Sequence, residues 1–374
     1  MGLLKDAEIG FRKFLVLFLG LFVHRSRPLD ASANFHSAKF LFIRQDRIGD
    51  VLVSTPLISL LKKTYPSATL DILLSENNYS VLEHEPLIRK RWLYEKNIVS
   101  IWTLIFNLRR ERYDIVIDLM DNPSATSTLL LALAGGKWNI GLKKDNAYVY
   151  DVTVPLLSRK DVHIVDRLAE LLRPLGIDVS SHSLRIRYNL ASASKEFAEQ
   201  FWTSHQLVGK AVIGVNISSG NATRFWGIDR FRDFISLVTS KYPDAPVLVL
   251  YHPKDKYNAE KIAADSPRTW FSPTTNSFDQ FASFIQRLSV LVTPDTSAVH
   301  LAAAFTIPSV VLYVQSNKDL RIWEPYHTPT ESLIADVDDL TTIRASEVFS
   351  AFQRLTAKHL PTLKHSSEQE AARK

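Results

Sequence analysis

The sequence predicts a two-lobed α/β protein, each lobe Rossmann-like, with parallel sheets facing a central cleft. Three observations point there. The chain has 374 residues, too many for one ordinary core and enough for two domains of common size. Short apolar strand patterns alternate with helical patterns, as expected of parallel sheets covered by helices on both faces. The pattern also restarts near Lys210. LLKKTYPSATLDILL in the first half is echoed by LVTSKYPDAPVLVLY in the second, each a helix, a Tyr-Pro, a short turn and a strand.

The first lobe opens with a strand at Lys39–Arg44 (KFLFIR), a turn over Gln45–Asp50 and an apolar helix from about Val51 to Tyr65. A strand at Thr69–Leu74 follows. Further strands are expected at Ile98–Ile101, Asp114–Asp118 and Val149–Val154, with helices at Ser124–Ala134 and Val162–Leu172. The second lobe begins with strand Ala211–Asn216, loop Ser218–Trp226 and amphipathic helix Ile228–Lys241. Next come strand Val247–Tyr251, a helix from about Tyr257, a strand near Thr269–Phe271, helix Phe278–Leu288 and strand Val290–Thr293. A helix beginning near Asp295, strand Ser309–Val314 and a helix over about 345–357 complete it, and 361–374 reads as a disordered tail. The boundary falls within about 180–208. The expected divisions are an N-terminal segment 1–37, a first lobe 38–190, a second lobe 205–345 and a closing helix and tail 346–374.

Hydrophobic residues make up 46% of the chain and charged residues 22%, the balance of a globular protein. The absence of cysteine excludes a disulfide framework or thiolate metal site and suits a reducing compartment. A net charge of +6 suits an anionic partner (phosphate, lipid headgroup or nucleic acid) without choosing among them. No His/Asp cluster has metal-ligand spacing, so no metal site is assigned, and dependence on a divalent cation stays open.

Near the N-terminus, Phe14–Val23 carries no charge, with Arg12 and Lys13 before it and His24, Arg25 and Arg27 after it. As a helix it would be about 15 Å long against a hydrocarbon core of about 30 Å, too short to span. It is expected to lie on an anionic membrane surface. The alternatives are a packed helix or a signal peptide cleaved near ASA at 31–33, although Asp6 and Glu8 fit a signal poorly.

Four segments carry candidate chemistry. In TPDTSAVHLAAAF (293–305) a buried strand runs into a helix whose first turn can hold a phosphate on its free amides and positive dipole. Asp295 caps that helix, or Thr296 or Ser297 does so and leaves Asp295 for a ligand. His300 lies one turn in, as a packed or a functional histidine. In IRQDRIGDVLV (43–53), Gly49 allows a tight turn. If Thr55-Pro56 starts the helix, Asp50 stands in the loop as a general base or a turn residue, with Asp46 a second carboxylate nearby. In ISSGNATRFW (217–226), a Ser/Gly-rich loop can wrap phosphate oxygens and Arg224 can neutralise a diphosphate, or remain an exposed loop arginine. A basic aromatic stretch includes Arg89, Lys90, Arg91, Trp92, Tyr94, Trp102, Arg109, Arg110 and Arg112. It reads as a surface for nucleic acid or anionic glycolipid, or as a solvated helix face.

Together these segments resemble the family 9 glycosyltransferases, the heptosyltransferase-type enzymes of lipopolysaccharide core assembly. The resemblance covers about 39–330 and rests on IRQDRIGDVLVSTPLISLLKKTYPSATLDIL, SSGNATRFWGIDRF and VLVTPDTSAVHLAAAFTIPSVVLY in that order. It implies a GT-B fold, with the acceptor bound mainly by the first lobe and the nucleotide sugar by the second. It further implies an inverting single displacement in which Asp50 takes the acceptor proton and Arg224 stabilises the leaving diphosphate. Donor contacts are expected from Ser218, Ser219, Gly220, Asp255, Asp295, Thr296, Ser297 and His300, and acceptor contacts from Arg47, Arg89 and Arg91.

The chain departs from the family at Ser297, where Gly is common, at VQSNKDLRIW, where a Gly-Pro-type turn is usual, and at Ile217-Ser218-Ser219 in place of a Pro-Gly. These departures leave the donor sugar open, with heptose of an ADP-heptose-type donor as the default. The implied partners are a nucleotide sugar, a lipopolysaccharide or other lipid-linked acceptor and an anionic membrane surface, not nucleic acid. The implied location is cytoplasmic, peripheral at the inner face of the bacterial inner membrane. Two other classes fit the same lobes: a GT-B sugar-nucleotide epimerase, and a non-catalytic glycan-binding protein at the membrane.

Overall fold

The computed structural model of the chain describes residues 23, 25–29, 35–264, 266, 268–360 and 363. The chain divides between Leu184 and Arg185 into two units, each built on a six-stranded sheet whose paired strands all run parallel.

The first unit contains β1 (Lys39–Ile43), α1 (Ile48–Leu52), α2 (Thr55–Thr64), β2 (Thr69–Ser75), β3 (Lys90–Tyr94) and α3 (Ile98–Glu111). It continues with β4 (Ile115–Asp118), α4 (Ala125–Leu133), β5 (Trp138–Leu142), β6 (Val152–Val154) and α5 (Ile164–Ala169). Strand order is β3-β2-β1-β4-β5-β6. β1 is apolar after its first residue because helices cover both faces of the sheet. Its Leu41 and Ile43 pack with Leu104 and Leu108 of α3 and Leu130 and Leu131 of α4. The strand order reverses at β1 and β4, so the loops leaving their carboxyl ends diverge there and open a crevice.

The second unit contains α6 (Ser192–Ser204), β7 (Ile213–Asn216), α7 (Ile228–Lys241), β8 (Val247–Leu250), α8 (Lys256–Ala263) and β9 (Thr269–Phe271). It continues with α9 (Phe278–Gln286), β10 (Val290–Pro294), α10 (Ser297–Phe305), β11 (Ser309–Tyr313), β12 (Thr330–Ile334) and α11 (Ala345–His359). The order β12-β11-β10-β7-β8-β9 places the switch point of this sheet between β7 and β10. Val215, Val249, Val292 and Leu312 pack against Phe231 and Phe234 of α7 and Phe352 of α11. The indole of the fully buried Trp226 donates to the Ile343 carbonyl at 2.9 Å, pinning the loop after β7 to the chain before α11.

Several elements differ from expectation. Ile98–Ile101 is the first turn of α3, because the Asn97 side chain accepts from the amides of Val99 and Ser100 and caps a helix. The strand pairing with β2 is instead the charged Lys90–Tyr94. The single helix expected from Val51 to Tyr65 is two, broken at Val53 and Ser54. In Val149–Val154, Val149 closes a short 3₁₀ turn and the strand is only Val152–Val154. β5, β12 and α6 have no counterpart in the sequence reading. The apolar stretch Phe14–Val23, apart from Val23, and the tail 361–374, apart from Leu363, lie outside the described residues.

Candidate active site

In the first unit, the crevice beside β1 is organised by Arg44, the residue after the strand. Its guanidinium is fully buried. Nε donates to the Asp50 carbonyl at 3.0 Å, Nη2 to Asp50 Oδ1 at 3.1 Å, and Nη1 to the Leu119 carbonyl beyond β4. The Arg47 amide donates to Asp50 Oδ2 at 3.1 Å. Both carboxylate oxygens are thereby oriented, and each keeps lone-pair capacity for a further donor. Asp50 lies within the one-turn helix α1, not in an open loop, and is nearly buried. Thr55 and Pro56 open α2 after Ser54 at the cap position, so the break between α1 and α2 lies after Asp50 rather than before it.

Asp46 stands 3.3 Å from Arg44 Nε, without the alignment of a hydrogen bond. Burial pushes its carboxyl up to about 6; Arg44 opposes this, and the charges of Asp50 and Asp121 add to it. Next to it, Asp121 accepts from Arg167 Nη2 at 3.0 Å, and its carbonyl accepts from Arg159. At the end of β4, the buried Asp118 accepts from Lys144 Nζ at 3.1 Å and from the Tyr150 hydroxyl at 2.6 Å. Burial, and then the Asp118 charge, push that phenol well up. The side-chain amide of Gln45, Asp46 Oδ1 and the Nε atoms of Arg159 and Arg167 are buried without hydrogen-bond partners. A polar ligand can satisfy such atoms, which otherwise cost free energy.

Of the three expected acceptor residues, Arg47 is exposed beside Asp50. Arg89 precedes β3 at the amino edge of the sheet, the edge opposite Asp50. There its Nε donates to Asp71 at 2.9 Å and its Nη2 to Glu111 at 2.8 Å. Arg91 lies within β3, donates to the Tyr79 carbonyl at 2.7 Å and stacks 4.6 Å above the Tyr79 ring. The structure therefore brings Arg47 to Asp50 and leaves Arg89 apart.

In the second unit the switch point between β7 and β10 gathers most of the expected donor residues. Asn216, buried at the end of β7, donates to Thr293 Oγ1 at 2.9 Å and Thr296 Oγ1 at 3.4 Å. Thr296 is the cap of α10, its hydroxyl accepting from the Ala298 amide at 3.3 Å. Asp295 is thus not the cap. It lies 3.2 Å from Arg224 Nη1, and both side chains are partly exposed. Ser297 is the first residue of α10, so its amide is one of the unpaired donors at the helix start.

Ser218 Oγ donates to Asp255 at 2.7 Å and accepts from the His252 amide at 2.6 Å, which joins the loop after β7 to the short turn after β8. Ser219 Oγ donates to the Asn221 carbonyl at 2.8 Å, and Gly220 is exposed with open space where a side chain would stand. His300 is buried in α10 with its ring 6.3 Å from that of Trp323. Nearby, burial raises the Tyr313 phenol, with the charges of Asp295 and Glu324 adding to it. Among the described residues no group of three His, Cys, Asp or Glu side chains is placed to hold a metal ion.

Sequence reasoning missed Arg44, Asn216, Asp121, Lys144, Arg159 and Arg167. An arginine at the end of an otherwise apolar strand, six residues before a candidate base, was a usable signal for Arg44. The others depend on partners distant in sequence.

A family model described as glycosyltransferase family 9 (heptosyltransferase) matches residues 101–347. A lipopolysaccharide heptosyltransferase 3 of Escherichia coli is 24% identical over 293 residues, 74% of this chain and 83% of that protein. Among solved structures, a family 9 glycosyltransferase from Veillonella parvula aligns with a TM-score of 0.75 at 20% identity, covering 87% of this chain and 99% of that one. Escherichia coli heptosyltransferase WaaC, solved with ADP-2-deoxy-2-fluoro heptose, aligns with a TM-score of 0.68 at 16% identity, covering 84% and 99%.

Proposed function

We infer, for a chain that belongs to glycosyltransferase family 9 and has the GT-B fold, a heptosyltransferase-like enzyme that moves heptose from a nucleoside diphosphate donor to a lipopolysaccharide-core or related lipid-linked glycan. The bond changes are those of a single displacement with inversion. Asp50 takes the proton from an acceptor hydroxyl, and the acceptor oxygen forms a bond to the anomeric carbon. The bond from that carbon to the diphosphate breaks, and the nucleoside diphosphate leaves with the electron pair. The observation that carries this reading is the Asp50 carboxylate, held by a buried guanidinium and a backbone amide at the carboxyl end of β1 with lone pairs to spare.

The donor site follows from the second unit. Arg224 exchanges its Asp295 partner for the diphosphate and stabilises the charge that develops on it. The amides at the start of α10, at Thr296 and Ser297, hold phosphate oxygens, supported by Ser218, Ser219 and Gly220. Asp295, released, accepts hydroxyls of the sugar or ribose, Asp255 contacts the nucleoside and His300 supports α10. Of the expected acceptor arginines, Arg47 stands beside the base and meets the acceptor, while Arg91 is bound to the Tyr79 carbonyl and Arg89 serves the sheet. Arg224 and the helix dipole can meet the diphosphate charge without a divalent cation. The location follows from the lipid-linked acceptor: the inner face of the inner membrane, with Phe14–Val23 as a peripheral anchor.

The epimerase reading is not favoured, because the family match is to glycosyltransferases. The test is Asp50→Asn, assayed for transfer from ADP-heptose and, by thermal shift, for ADP-heptose binding. Transfer should fall by about 10²–10⁴-fold with donor binding retained. Near-normal turnover would remove Asp50 as the base.

A further inference from the structure

We propose that the outward face of α3 is a second membrane contact, seating the first unit on an anionic lipid bilayer with its acceptor edge toward the lipid. This rests on the reading of the chain as a transferase acting on a lipid-linked glycan, and extends it to a surface outside the reaction site.

The face is defined by exposure. Ile98, Val99, Trp102 and Phe106 are 75%, 74%, 61% and 60% exposed, respectively, and are all the exposed large apolar side chains among the described residues of the first unit. At 100° per residue they fall within one arc of about 100°, beside the arc of Leu104, Ile105 and Leu108, which are buried in the core. An apolar stripe on the solvent side of a soluble unit marks an interaction surface.

Charge selects the partner. Between Arg89 and Arg112 the chain carries seven lysines and arginines against two glutamates. Glu111, the one carboxylate of α3, is already occupied by Arg89 at 2.8 Å, with Lys39 and Lys90 at 3.7 and 3.8 Å. Arg109 and Arg110 follow the stripe in the last turn, and the Arg110 guanidinium lies 5.6 Å from the Phe106 ring. Apolar and aromatic side chains flanked by arginines fit an anionic interface, where rings enter the headgroup region and cations stay among the phosphates.

Position supports the same partner. Val23 follows directly on the apolar stretch Phe14–Phe22 in the sequence, and it packs on the same core cluster as Leu104 and Leu108 of α3. The residue that leaves the anchor segment and the helix that carries the stripe therefore share one face of the sheet. α3 starts at the carboxyl edge, where Asp50 stands, so its apolar first turns lie at the acceptor end and its arginines at the far end.

The test uses the full chain and vesicles of phosphatidylcholine and phosphatidylglycerol in equal parts, with brominated acyl chains, against phosphatidylcholine alone. Of the 7 tryptophans, Trp102 is the exposed one. Bromolipid should quench its emission when phosphatidylglycerol is present, less so at high salt, and Trp102→Phe should bind equally but lose most of the quenching. Trp102→Ser with Phe106→Ser should weaken vesicle affinity about tenfold or more, with transfer to a deacylated, water-soluble acceptor unchanged.

Vesicle binding with the same quenching in Trp102→Phe would overturn the α3 contact and leave the transferase reading standing. Absence of binding to phosphatidylglycerol vesicles would also overturn it, while transfer to the soluble acceptor decides the transferase reading separately. Two further results would give the face another occupant and refute the proposal. One is deletion of residues 1–22 exposing Trp102 to acrylamide without vesicles. The other is a dimer in sedimentation that Phe106→Ser breaks.

Discussion

Replacing Arg44 with lysine keeps the charge and removes the fork. The guanidinium donates through three nitrogens to the Asp50 carbonyl, Asp50 Oδ1 and the Leu119 carbonyl. A lysine ammonium is a single point on a flexible stem and cannot face both the α1 side and the β4 side of the crevice. Keeping the carboxylate contact forfeits the Leu119 carbonyl and loosens the Asp50 carbonyl, which retains Ser54 Oγ at 2.8 Å. Hydrogen bonds to a charged group contribute about 1.5–3 kcal/mol each, so losing one fully and weakening another should cost about 2–4 kcal/mol of stability. The carboxylate also loses its fixed orientation, and misplacement of a reacting group by about 1 Å lowers rate by about 10²-fold. Urea unfolding and steady-state transfer measure the two effects. A lower urea midpoint is expected, with kcat down by about 10–10²-fold and thermal-shift affinity for ADP-heptose unchanged, because the proposed donor residues belong to the other unit. An Arg44→Lys enzyme with wild-type kcat would refute the argument that this guanidinium positions Asp50 as the proposed base.

Three other outcomes follow from the same structure. Arg224→Ala should weaken ADP-heptose binding and lower the transfer rate together, and unchanged affinity in a thermal-shift titration would take it out of the phosphate site. Asp46→Asn should stabilise the protein at pH 8 but not at pH 4. A carboxyl raised from 3.8 to about 6 binds its proton more tightly when folded, so its cost is present above about pH 6 and fades as pH falls. The gain has an upper value of about 3 kcal/mol, and equal gains in urea unfolding at both pH values would contradict a buried charge. Deleting residues 1–30 should shift the protein from the membrane to the supernatant fraction of cell lysates, and unaltered fractionation would count against the anchor.

The repeated architecture was legible because both sheets are covered on two sides. Strands buried that way are short apolar runs, and KFLFI, VLVL and SVVLY announce themselves. Where a strand is polar or edge-placed the same signal fails. β3 is KRWLY at the sheet edge, and its charges read as solvated surface. β5 is WNIGL, fully buried despite two poor strand formers. Asn139 is there because its amide bonds the Leu131 and Val149 carbonyls. Gly141 is there because any Cβ would lie 2.3 Å from the Tyr150 ring. The run IVSI favours a strand by composition and is a helix because Asn97 caps it.

At the site, local pattern singled out Asp50, Arg224 and the strand-to-helix turn at Asp295–Ser297 as candidates, since each follows a strand end where a parallel sheet presents ligands. It left open which residue capped α10 and whether Asp50 faced solvent, because both depend on backbone geometry. Thr296 takes the cap with its hydroxyl, which frees Asp295 to meet Arg224. The Arg44–Asp46–Asp50 cluster, with Asp121 and its two arginines, joins groups far apart in sequence in one buried crevice. Chain order and periodicity carry which elements form, because those are short-range preferences. Which polar groups share a low-dielectric pocket, and which apolar helix face is left in water, depends on how distant elements pack.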